Sequence, residues 1–132
     1  MNKMDIRVRD FSLTPGARKE EITPGLSGEK FRKEWLAPKF LEAIKNDSKL
    51  LVDLGGVRGY DPSFLEEIFG GLVRMCVKSE ADYYDSTMDN VTFKDFDRIE
   101  YEKEDDVISD LKHVEDKFKA ALEKHRDEIK SR

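Results

Sequence analysis

Lys49-Leu50-Leu51-Val52-Asp53-Leu54-Gly55-Gly56-Val57-Arg58-Gly59-Tyr60-Asp61-Pro62-Ser63-Phe64-Leu65-Glu66-Glu67-Ile68-Phe69-Gly70-Gly71-Leu72 decides the fold. The stretch opens on a short, nearly continuous apolar run after the polar Asn46-Asp47-Ser48, which suits a central strand covered on both faces. Toward its end, apolar pairs return every four residues, at Phe64-Leu65, Ile68-Phe69 and Leu72-Val73 and on to Cys76. That spacing makes a helix with one inner face, starting near Ser63. Gly70 and Gly71 each cost roughly 1 kcal/mol inside a helix. Something must therefore pack unusually close there, and the central strand is the obvious neighbour.

Upstream, Met4-Asp5-Ile6-Arg7-Val8-Arg9-Asp10-Phe11 alternates apolar with polar residues and reads as a first strand. Turns at Thr14-Pro15-Gly16 and Thr23-Pro24-Gly25 leave Arg18 to Ile22 as a short return strand. Ser27 can cap a helix that places Phe31, Trp35, Leu36, Phe40, Leu41 and Ile44 on one side, with Pro38 kinking or splitting it. Downstream, residues 79–97 mix Tyr83, Tyr84 and Phe93 with five aspartates, a long excursion with room for a short strand at Asn90 to Phe93. Arg98-Ile99-Glu100-Tyr101 reads as a last strand. Val107, Leu111, Val114, Phe118, Ala121 and His125 then follow steps of four and three, a heptad-like helical seam reaching toward Ile129. The end of that helix could project and pair with a second copy as a homodimer, or stay solvated. Strands alternating with helices imply a sheet with helices packed on it.

At 132 residues the chain is sized for one domain with one core. No stretch approaches the roughly 20 apolar residues of a membrane span, and Met1 to Asp10 lacks a signal peptide's apolar core, so a cytoplasmic protein is expected. The lone Cys76 leaves no internal disulfide and no cysteine-cluster metal site, and its apolar neighbours suit a buried thiol. Charge is uneven. Glu80 to Asp110 holds twelve acidic residues against Lys94, Arg98 and Lys103, while the whole chain carries a net −5. An acidic face repels phosphate, and the basic residues elsewhere are interspersed with glutamates, so nucleic acid is not an expected partner. Asp82, Asp85 and Asp89 lack the glycine and terminal glutamate of a calcium loop and read as a solvated acidic loop. His113 and His125 lie twelve apart on one helix and cannot share a ligand. With no phosphate loop, metal-binding histidine pair or nucleophile motif, neither an enzyme nor a cofactor is expected.

The run from Leu51 to Leu72, in which a buried strand meets a turn and then a helix start, resembles the STAS domain of bacterial anti-sigma factor antagonists. In that domain a hydrophobic strand ending in aspartate leads to an Asp-Ser-Ser-Gly-Leu turn that opens a helix. The chain is closer still to the STAS-like family of unknown function. Ser12-Leu13-Thr14-Pro15-Gly16-Ala17-Arg18 and Ser27-Gly28-Glu29-Lys30-Phe31-Arg32 look like that family's first half, so the likeness covers about residues 4 to 102.

Together, the residue pattern and the resemblance lead to the expectation of a single α/β domain over 1–132: a STAS-like mixed sheet of about four strands packed with helices, a core over about 4–110, and, from the heptad-like spacing, a long C-terminal helix over 104–130. The resemblance implies a protein-interaction module partnered by a histidine-kinase-like ATPase, with the contact at Tyr60, Asp61, Ser63 and Phe64. In the antagonists the partner phosphorylates the first serine of the turn. Pro62 stands there in this chain, Ser63 matches only the second serine, and Phe64 replaces the glycine. Two cap readings stay open: a Ser63-Phe64-Leu65-Glu66 capping box, or Asp61 as cap with Pro62 first in the helix. A phosphate on Ser63 would be favoured electrostatically at a helix N-terminus. The alternative is a domain that binds nucleotide, as some STAS domains are thought to do, with phosphate contacts from Arg18, Arg32 and Arg58.

Overall fold

The computed structural model describes residues 3–102 and 111–130. The apolar run forms β2 (Lys49–Asp53), which pairs in parallel with β1 (Lys3–Arg7) on one side and β3 (Ile99–Glu102) on the other. Met4, Leu50 and Ile99 lie in register, as do Ile6, Val52 and Tyr101, and these rows make the apolar face. Leu50 and Val52 are wholly buried. Successive side chains alternate across a sheet, so Asp5, Leu51 and Glu100 form a row on the other face. There Asp5 and Glu100 are exposed and Leu51 is only half-buried. Among the described residues the sheet is therefore covered on one face rather than two.

Among the described residues the sheet has three strands, all parallel, and the fourth strand of the expected mixed sheet is not found there. The return strand expected at Arg18 to Ile22 is instead a set of turns in which Ile22 and Thr23 N–H both donate to Lys19 O. Local side-chain bonds outcompete a ladder there: Thr23 Oγ1 accepts Ala17 N–H, and Glu20 accepts from Gly25 N–H and Ser27 Oγ. The segment read as a strand at Asn90 to Phe93 leads into a 3₁₀ turn (Phe93–Arg98) because the Asp95 carboxylate takes the Thr92 N–H at 2.8 Å. The first strand stops at Arg7 and continues as a single turn, α1 (Val8–Phe11). That turn carries the Phe11 ring to within 5.2 Å of Phe31 and 5.6 Å of Trp35.

Ser27 caps α2 (Gly28–Phe31), its Oγ accepting Lys30 N–H at 3.0 Å. A π-turn (Arg32–Leu36) then leads to α3 (Ala37–Lys45). Pro38 lacks the N–H that an α-helical register would aim at Glu34, and the chain absorbs this by widening the preceding turn, with Ala37 N–H bonding Arg32 O five residues back. The long amphipathic helix is α4 (Pro62–Arg74), and after it come α5 (Leu111–Lys124) and α6 (Arg126–Lys130). Right-handed crossovers that step one way across a parallel sheet put their helices on one side. Accordingly α2 and the π-turn pack on α4, and α4 on α5.

Of the heptad-like seam, Val114 and Phe118 are buried within the chain, as is Ile129 beyond it, and the Phe118 ring lies 5.2 Å from Phe69. The seam is also broken at His125 between α5 and α6, and the expected helix start at 104–110 lies outside the described residues. Cys76 is buried, as its surroundings in the sequence imply. Among the described residues no helix is long and apolar enough to cross a membrane.

Candidate functional site

The turn between β2 and α4 is built from its own polar groups. Asp53, at the carboxyl end of β2, accepts Gly55 N–H through Oδ1 and Arg9 Nη1 through Oδ2, both at 2.9 Å. Arg58 N–H donates to Leu13 O at 2.8 Å, and the Tyr60 hydroxyl donates to Leu54 O at 2.7 Å. Asp61 then takes the Ser63 N–H at 2.8 Å and Pro62 is the first helical residue. The cap of α4 is therefore Asp61, and the Ser63–Glu66 capping box does not form, because Glu66 pairs with Arg74 farther along the helix and with Arg18 from before α2.

Of the four residues singled out in the turn, Asp61 is exposed while Tyr60 and Ser63 are half-buried. Phe64 is wholly buried, 6.0 Å from Phe31 and 5.9 Å from Tyr60 between ring centroids, and supports the turn from beneath. The acidic loop is locally satisfied: Asp85 accepts Thr87 N–H and Oγ1, and Asp89 accepts the Tyr84 hydroxyl at 2.6 Å. Among the described residues no group of acids, histidines or cysteines could hold a metal ion.

Midway along α4 lies a second polar assembly that the residue pattern alone did not disclose. Glu67 is 0% exposed and Arg32 1%. Arg32 Nε and Nη2 reach Glu67 Oε2 at 3.2 and 3.0 Å, while Arg18 Nη1 and the Tyr83 hydroxyl donate to Oε1 at 3.0 and 2.9 Å. Glu66 receives a two-pronged contact from Arg74, at 2.9 and 2.8 Å, and Arg18 Nη1 at 2.6 Å. Burial works to raise the Glu66 carboxyl, yet the hydrogen bonds from Arg74 and Arg18 hold it below the ordinary range. Burial likewise opposes the charge on Arg18 and Arg74, and their bonds to Glu66 raise both regardless. The Tyr83 ring lies over this assembly, with Arg32 Cζ 5.0 Å and Arg74 Cζ 4.5 Å from its centroid.

The assembly explains the paired glycines better than the central strand does. A Cβ on Gly71 would sit 2.7 Å from Arg32 Cδ, and one on Gly70 would collide with the Glu66 carboxylate. One signal in the sequence was readable: Phe64, Glu67 and Gly71 share a helical face by their three- and four-residue spacing, so a glutamate stood on the apolar face. Of the three arginines considered as phosphate contacts, Arg18 and Arg32 meet here with Arg74, whereas Arg58 is exposed in the turn.

No curated protein and no solved structure matches the chain. Residues 27–80, which run from the cap of α2 through β2, the turn and α4, match the model of the family described as a STAS-like domain of unknown function, so this stretch of the chain is similar to that family.

Proposed function

We propose that this chain is a non-enzymatic, cytoplasmic regulatory module that presents the turn Tyr60-Asp61-Pro62-Ser63 to a partner protein. The observation that carries the reading is the contrast within the turn. Asp61 and Pro62 face solvent while the backbone on either side is tied down by the Arg58–Leu13 and Tyr60–Leu54 bonds and by buried Phe64. A pre-organised polar turn at a helix start loses little entropy on binding and responds strongly to added charge. The likeness to anti-sigma factor antagonists supports a histidine-kinase-like ATPase as the partner, with Ser63 as the residue it modifies in place of the position held by Pro62. A phosphate on Ser63 would compete with the Asp61 carboxylate for the same backbone N–H groups at the start of α4, so modification would displace the present cap and reshape the contact.

The test is capture of the tagged full chain from its native host, with mass spectrometry of the co-purifying proteins and of the Ser63 peptide. The reading expects an ATPase of this type together with phosphate on Ser63. A chain that comes down alone and unmodified contradicts it.

A further inference from the structure

Two guanidinium N–H groups in the α4 assembly make no hydrogen bond although they are buried: Arg32 Nη1 and Arg74 Nε. Buried donors are nearly always satisfied, and each orphan calls for a physical reason. Here both belong to arginines packed against the Tyr83 ring, at 5.0 and 4.5 Å from its centroid, with Lys19 Nζ at 5.7 Å. A ring face attracts these cations, yet it accepts an N–H far less well than an oxygen does. Tyr83 also supplies one donor, its hydroxyl, to Glu67 Oε1. A group that replaced the Tyr83 side chain would therefore need several acceptor oxygens for the arginines and one O–H for Glu67.

We propose that the Arg18–Arg32–Arg74 assembly is a binding site for a hydrogen phosphate group, with Tyr83 as the lid that the ligand displaces. Hydrogen phosphate carries the oxygens that Arg32 Nη1 and Arg74 Nε lack, together with a P–O–H that takes the place of the Tyr83 hydroxyl on Glu67. Sulfate has the same size and charge but no proton to donate at neutral pH, so it would leave Glu67 facing an oxyanion. Arg18 and Arg74 are partly exposed and mark the way in, while Arg32 and Glu67 form the floor. The site is separate from the turn at the start of α4, and the proposal does not depend on that turn's role.

The experiment is a titration of the full chain with inorganic phosphate and, at equal ionic strength, with sulfate, read by melting temperature and by the arginine Nε–H signals in NMR. Phosphate is expected to give a saturable rise in melting temperature and a shift of the Arg74 Nε–H signal, with sulfate giving neither. Tyr83→Ala should bind phosphate more tightly because the competing lid is gone. Arg18→Gln and Arg74→Gln, each checked for native circular dichroism, should lose the response, and either one alone suffices if the other fails to fold. A phosphate monoester, whose dianion carries no P–O–H at neutral pH, should bind more weakly than inorganic phosphate, and equal or tighter binding there would overturn the proposal. Equal effects of phosphate and sulfate, or no saturable response in the unmodified chain, would overturn the proposal.

Discussion

The start and the middle of α4 are held in opposite ways. At the start, one exposed carboxylate satisfies one backbone N–H and the surface around it is open. In the middle, two glutamates and three arginines bind one another beneath a tyrosine, with Glu67 and Arg32 removed from water altogether. Desolvating ions is costly, and a buried ion pair adds little net stability over apolar packing, but removing one member strands the other. The middle of the helix is thus a place where change is punished, and its start a place where change is tolerated. The proposed module would use both, a rigid frame and a free contact.

Glu67→Gln breaks the frame most severely, because it leaves Arg32 charged, buried and unmatched. Its expected cost is roughly 3–5 kcal/mol, measured by urea unfolding. Gly71→Ala probes the same place through space alone. The new methyl meets Arg32 Cδ at 2.7 Å, and the expected cost is about 1–3 kcal/mol although alanine is the better helix former.

Acid should weaken the frame through Glu66. Its carboxyl is held below its ordinary value of 4.5, so the unfolded chain takes up that proton at a higher pH than the folded one. The stability contributed by the pair is whole above 4.5 and is lost as pH falls below that value. Unfolding midpoints of the parent and of Glu66→Gln should therefore converge as the pH is lowered through this range. The start of the helix answers mildly: Asp61→Ala is expected to lose the cap at a cost of about 1 kcal/mol, and Ser63→Ala to stay within about 0.5 kcal/mol. A larger loss from Ser63→Ala than from Asp61→Ala would reverse the cap assignment.

What the chain discloses about itself follows the range of the forces involved. β2 and α4 were legible because their periodicity lies within the segments, and Asp61-Pro62 was legible as one of two helix starts. The segment Arg18 to Ile22 was not, since Thr23 and Glu20 settle it by local side-chain bonds that hydropathy does not register. The covering of the sheet was misread because Leu51, though apolar, lies on the face of Asp5 and Glu100. The α4 assembly joins residues 35, 48 and 49 positions apart, and only the fold brings them together. Its one local trace, a glutamate on the apolar face one turn before the paired glycines, needed Arg32 to give it meaning.

The most direct test of the central claim is the affinity of the captured partner for Ser63→Asp against the parent chain, with both shown by unfolding to be equally stable. If the turn is the contact, the added charge should weaken or strengthen binding by about tenfold or more, the scale of a 1.4 kcal/mol change at an interface. An affinity unchanged by Ser63→Asp would contradict the account and move the contact surface elsewhere on the chain.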